Sequence, residues 1–241
     1  MDRLNWKTVF TTSRAKALCS SYILYPFSER MSTVKSLPLA LLALLPAIDG
    51  ASAQSKSPSK PERYVVAPTG NEARYRVREQ LAGFDLPRDA IGATKAVTGR
   101  IVVGADGKVV KDSSKLVIKL SELKSDQTRR DTYLRRNTLE TAKYPTAELV
   151  PTALEGLLMP IEPGSSQTFS VRANLTVHGV THQTTWNVTA RAEGKDVVGT
   201  AATAFTFKDI GLEQPKAAIV LSVADTIRLE YDFRFVPDTG R

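Results

Sequence analysis

Ile227-Arg228-Leu229-Glu230-Tyr231-Asp232-Phe233-Arg234-Phe235, near the C-terminus, alternates an apolar side chain with a charged one without a break. Successive side chains of a strand point to opposite faces, so this period of two predicts a strand with one dry face and one charged face. The same alternation recurs upstream. Gln167–His178 sets Phe169, Val171, Ala173, Leu175 and Val177 against Ser170, Arg172, Asn174, Thr176 and His178, and Thr185–Ala192 sets Trp186, Val188 and Ala190 against Asn187, Thr189 and Arg191. Further strands are expected at Ala73–Glu79, Val97–Val103, Leu116–Leu120, Thr146–Val150 and Val197–Phe205.

Turn chemistry at Ala105-Asp106-Gly107, Gly179 and Glu193-Gly194-Lys195 joins these runs, and short turns make sequential strands antiparallel neighbours. Ser125–Asn137 is the one segment expected to be helical, with Ser125 as its N-cap. About eight strands with one apolar face each must bury that face. A closed barrel does so and removes the exposed edges as well; a two-sheet sandwich is the rival. The fold class expected is therefore all-β, an extended antiparallel β-barrel of about eight strands with one main α-helix. A barrel of that size is either filled by its own side chains or holds one small ligand. Gly199, Ala201, Ala202 and Ala204 on one strand would leave room for a ligand, or would allow tight strand packing.

The 241 residues, 42% hydrophobic, suffice for one domain with a substantial core. A formal charge of +8 suits an anionic partner or membrane surface, although basic exported proteins without such a partner are common. From Met31 the chain reads MSTVKSLPLALLALLPAIDGASAQ, with Lys35, an apolar run Leu37–Leu45, and Ala51-Ser52-Ala53 as a cleavage signal. That is the pattern of a secretory signal peptide over 31–53, too short in its apolar run to span a bilayer. Residues 1–30 are read as a mis-assigned extension and 54–63 as a flexible lead-in to a domain at 64–241. Cleavage before Gln54 removes Cys19, the only cysteine, so the exported protein would contain no thiol, as suits a periplasmic location.

Three segments resemble the YceI family of exported lipid-binding proteins. Arg130-Asp131-Thr132-Tyr133-Leu134 running into Ala142-Lys143-Tyr144-Pro145 is similar to that family's R-D-x-H-L helix and K-Y-P strand entry. Leu175-Thr176-Val177-His178-Gly179-Val180-Thr181 resembles its L-T-x-x-G-V-T hairpin, and Phe207-Lys208-Asp209-Ile210-Gly211-Leu212 its R-x-D-F-G segment. The likeness runs from about Ala73 to Phe235. It implies a lipocalin-like barrel whose bore takes a polyisoprenoid or similar long-chain amphiphile, such as an isoprenoid quinone. Two departures stand out: Ala73-Arg74-Tyr75-Arg76-Val77-Arg78 carries no histidine where the family's first strand does, and Tyr133 stands where the family has histidine.

An isoprenoid needs a dry wall, and the candidates for it are Tyr75, Val77, Phe169, Val171, Trp186, Val188, Ala201, Phe205, Tyr231 and Phe233, which would otherwise form an ordinary core. Arg130, Asp131, Tyr133 and Leu134 are candidates for head-group contact or for a helical lid, with Arg130 and Asp131 expected to form an ion pair orienting the helix. Arg129, Arg135 and Arg136 on the helix, and Arg74, Arg76 and Arg78 on the first strand, could meet a charged head group or form a solvated face. His178 and His182 flank one hairpin, but two imidazoles without a third ligand are not expected to bind a metal. No catalytic motif occurs, and no resident cofactor is expected beyond a bound isoprenoid lipid or quinone.

The leading expectation is an exported, non-catalytic lipid carrier in contact with a long-chain isoprenoid and, transiently, with a membrane surface. Nucleic acid is not an expected partner, and a homodimer is compatible with the sequence. A ligand-free stress-response or partner-binding barrel using its basic surface is the alternative; an enzyme using Asp131, Tyr133 or His182 is a third.

Overall fold

The computed structural model describes residues 60–240. The expected extension, signal peptide and most of the lead-in therefore lie outside the described residues. Eleven strands form one antiparallel sheet: β1 Glu62–Val66, β2 Glu72–Leu81, β3 Arg88–Thr94, β4 Val97–Val103, β5 Lys115–Lys119, β6 Lys124–Ser125, β7 Thr146–Glu155, β8 Ser166–Val177, β9 Val180–Glu193, β10 Asp196–Thr206 and β11 Val220–Pro237.

Their pairing resolves into eight staves. β1 pairs with β4 through Tyr64↔Ile101 while β2 pairs with β3 through Ala73↔Thr94, so β1 and β2 are two halves of one broken stave facing another made of β3 and β4. β5 meets β4 through Gly99↔Leu116 and β6 meets β3 through Gly92↔Ser125, completing a third broken stave. β7, β8, β9, β10 and β11 then follow in chain order as single strands. β11 closes the ring by pairing with both halves of the first stave, Ile227↔Val77 and Val236↔Val65. The result is a closed eight-stave meander, and closure leaves the long staves without an exposed edge. The sandwich alternative is excluded.

The break between β1 and β2 is held by a buried side chain. Asn71 donates from Nδ2 to the Ala67 carbonyl at 2.8 Å, and its Oδ1 accepts from the Tyr231 hydroxyl at 2.8 Å and the Arg234 amide at 3.1 Å. These bonds satisfy polar groups that the interrupted ladder leaves open. β1 begins at Glu62, two residues inside the expected lead-in, and β3 was not expected at all. The inward positions of β3 are Ala90, Gly92 and Thr94, too small to mark an apolar alternation.

At the hairpin between β8 and β9, His178 and Gly179 both have positive φ, 52° and 77°, as a two-residue turn matching strand twist requires. On β10 Val197, Ala201 and Phe205 line the bore. Gly199 lets β9 and the Phe233 ring approach, since a Cβ there would lie 2.1 Å from the Thr189 carbonyl oxygen and 2.7 Å from the ring. Ala202 and Ala204 lie on the opposite face, with Ala204 exposed, so they make no room in the bore.

The helix differs from expectation at its start. α1 spans Thr128–Tyr133 and continues as a π-turn over Leu134–Thr138. Gln127, not Ser125, occupies the N-cap, without a side-chain capping bond. Ser125 belongs to β6, where Asp131 captures it: its amide and hydroxyl donate to Asp131 Oδ1 at 3.0 and 2.7 Å.

Candidate ligand-binding bore

Inward side chains from all eight staves do not fill the barrel. The helix-side chamber has a volume of about 210 Å³ and the far chamber about 420 Å³; the second lies within the range of ordinary ligand sites, about 300–1,000 Å³, and the first is smaller. The two share one waist, formed by Leu116, Leu149, Trp186 and Tyr231. Both aromatic rings of this waist are anchored at their polar ends. Trp186 donates from Nε1 to Thr184 Oγ1 at 2.9 Å, and Tyr231 donates to Asn71, so each presents carbon to the bore while its heteroatom is satisfied in the wall. Burial pushes the Tyr231 phenol well above its usual range, keeping it a protonated donor.

Every wall residue expected from the sequence lines one chamber or both. Tyr75, Val77 and Phe205 stand in the helix-side chamber; Phe169, Val171, Val188, Ala201 and Phe233 stand in the far one; Trp186 and Tyr231 belong to both. Tyr75 lies flat against β3, where Gly92 is required: a Cβ would come within 2.2 Å of the ring. Its hydroxyl is sealed from solvent without a hydrogen-bond partner among the described residues, and burial raises it to about 12.

The charged groups are arranged otherwise than expected. Arg130 and Asp131 do not pair, because adjacent helical residues point about 100° apart. Arg130 instead donates from Nη2 to Glu79 Oε1 at 2.5 Å, also contacts Asp126, and lines the helix-side chamber with Glu79. Tyr133 and Leu134 line the same chamber, and the Tyr133 hydroxyl donates to the Lys216 carbonyl at 2.8 Å, pinning the segment before β11 across the opening. Asp131 lines neither chamber.

Arg74 and Arg76 are engaged by carboxylates on their own and neighbouring strands: Arg74 with Asp232 at 2.6 Å and Glu72 at 3.0 Å, Arg76 with Asp89 at 3.1 Å and Glu230 at 3.3 Å. Arg78 bonds Asp89 at 3.2 Å. Arg135 donates to the Leu123 carbonyl at 3.2 Å, while Arg129 and Arg136 are exposed. The two histidines also part company. His178 bonds Glu140 at 2.7 Å and packs on Tyr144 with ring centroids 4.3 Å apart, whereas His182 meets the edge of Phe205. Among the described residues, no three His, Cys, Asp or Glu side chains are placed to hold a metal ion.

Sequence reasoning missed Leu116 and Leu149 at the waist, though both sit at inward positions of expected strands. It also missed Leu157, Met159, Pro160 and Ile161, which line the far chamber from a loop without period.

The bore can be set beside known proteins. Residues 64–235 match the family model of the YceI-like domain. The chain is 31% identical over 126 residues to UPF0312 proteins of Pseudomonas putida strains GB-1 and W619; the match covers 46% of this chain and 62% of those relatives' own length. Among solved structures, a polyisoprenoid binding domain from Saccharophagus degradans superposes with a TM-score of 0.58 at 16% identity, covering 73% of this chain and 98% of that one. BcnA of Burkholderia cenocepacia superposes at 0.52 and 15% identity, covering 70% and 98%. These likenesses are of fold.

Proposed function

The chain belongs to the YceI-like domain family, and from that membership and the form of its bore we propose that it holds one long-chain isoprenoid or similar amphiphile, such as an isoprenoid quinone, and does no chemistry on it. The observation that carries this reading is the two-chambered apolar bore with a waist of carbon surfaces. Along β8 the lining runs from Phe169 to Val177, eight steps, or about 27 Å of strand. At the usual strand tilt that is about 20 Å along the barrel axis. A long thin chain suits such a space, gaining about 25 cal/mol for each Å² of apolar surface it removes from water. The similarity to a polyisoprenoid binding domain supports the same ligand class.

Non-catalysis is supported by the state of the polar groups on the bore. Glu79 is committed to Arg130 and Glu230 to Arg74, and burial keeps the Tyr75 and Tyr231 phenols protonated. Export to the periplasm by cleavage before Gln54 belongs to this reading. The ligand-free basic-surface alternative has less support, because Arg74, Arg76, Arg78 and Arg130 are each engaged by carboxylates.

Trp186 provides a direct test, since the other tryptophan, Trp6, precedes the expected cleavage point. Titrating the delipidated mature protein with an isoprenoid quinone should quench its emission saturably. Unchanged emission at every concentration would count against occupation of the waist.

A further inference from the structure

Four large apolar side chains stand in solvent on one side of the barrel: Phe84 at 52% exposure, Leu86 at 76%, Ile219 at 55% and Leu221 at 66%. The first two belong to the loop between β2 and β3, and the other two flank Val220, the first residue of β11. These segments are tied together, because the Ala82 amide donates to the Ile219 carbonyl at 2.9 Å and Leu81 pairs with Val220. The four residues therefore form one patch. Val220, between Ile219 and Leu221, turns inward and lines the helix-side chamber along with Pro215 and Ala217. The patch thus rims an opening of the bore.

Its polar border is mixed. Arg88 stacks over Phe84 with its guanidinium carbon 5.2 Å from the ring centroid and bonds Asp126 at 2.6 Å. Asp85, between Phe84 and Leu86, supplies an exposed carboxylate, and Lys216, three residues before Ile219, supplies an exposed cation. A contiguous apolar patch with a polar rim marks an interaction surface. Apolar residues on a loop tip, flanked by cations, suit the interface of a bilayer, where rings and aliphatic chains enter the headgroup boundary while charges stay wet.

We propose that Phe84, Leu86, Ile219 and Leu221 dock the barrel onto a lipid bilayer, holding the helix-side opening against the membrane so that a lipid chain enters the bore without crossing water. The proposal rests on the lipid-holding reading above, and the patch's continuity with the chamber is what selects a bilayer as its occupant. Tyr133, which clasps the main chain of Lys216 on both sides, then serves as the latch of the entry segment.

The test uses the mature protein with phosphatidylcholine vesicles, with and without phosphatidylglycerol, read by co-flotation, and native mass spectrometry of the same preparations. Losing two large apolar contacts should lower the vesicle-bound fraction of the double variant Phe84→Ser/Leu86→Ser by about tenfold or more. Leu158→Ser, at an exposed site outside the patch, should float like the unaltered protein. Equal flotation of the double variant, or no flotation of the unaltered protein, would overturn the proposal. So would concentration-dependent dimerisation abolished by the double variant, which would make the patch a contact between copies. If vesicle binding depends on the patch but no preparation carries or takes up a lipid, docking stands and the lipid-holding reading falls; a loaded bore without flotation gives the reverse.

Discussion

Arg130 and Glu79 meet at 2.5 Å with side chains only 12% and 8% exposed, joining the helix to the barrel wall at the edge of the helix-side chamber. Removing one partner of a buried pair leaves the other charge uncompensated, a loss of about 3–5 kcal/mol where burial is complete. Asp126 remains to balance Arg130 here. Glu79→Ala should therefore destabilise by about 2–3 kcal/mol in urea unfolding, and should speed lipid exchange by loosening the helix. Unchanged stability would mean that the pair does not hold the helix.

The outer ladder of charges predicts an acid limit. Burial alone would raise the Glu230 carboxyl, but hydrogen bonds and charge from Arg76 and Arg74 outweigh it and hold the group below its ordinary 4.5. A depressed carboxyl contributes stability that is complete above its unfolded value and is lost as pH falls through the lower folded one. Tm should stay level from neutrality to about pH 5 and then fall, and the fall should be shallower in Glu230→Gln. Identical acid slopes would remove this role for Glu230.

The Tyr75 hydroxyl is buried without a partner among the described residues. Such a group costs about 1–3 kcal/mol, so Tyr75→Phe should leave stability unchanged or raise it by about 1 kcal/mol. Chemical denaturation decides this, and a clear loss of stability would reveal a bond that the hydroxyl makes.

Ala201 faces the far chamber between Val188 of β9 and Tyr231 of β11. An indole placed there projects into open volume, so Ala201→Trp should fold, with Tm changed by a few degrees, and take up much less lipid. Retention of full uptake by a folded variant would mean that the far chamber is not occupied.

These sites show what could be read from the chain alone. Alternation identified β8, β9 and β11 because most of their inward positions are apolar and several are large, as at Phe169, Trp186, Phe233 and Tyr231. It failed for β3, whose inward positions are Ala90, Gly92 and Thr94: that stave carries a small face to receive the Tyr75 ring, which composition does not signal. The wall residues were legible because period two assigns them to one face. The Arg130 partner was not, since Glu79 is 51 residues away and becomes a neighbour only when the barrel closes. The helix start was misplaced because Ser125 has the chemistry of a cap, yet β6 pairing claims its backbone.

Native mass spectrometry of the mature protein purified from its own host, followed by organic extraction, tests whether the bore holds a long-chain lipid. One isoprenoid or quinone per chain, released on unfolding, is the expected result. A bare mass that persists after incubation with isoprenoid lipids would contradict it.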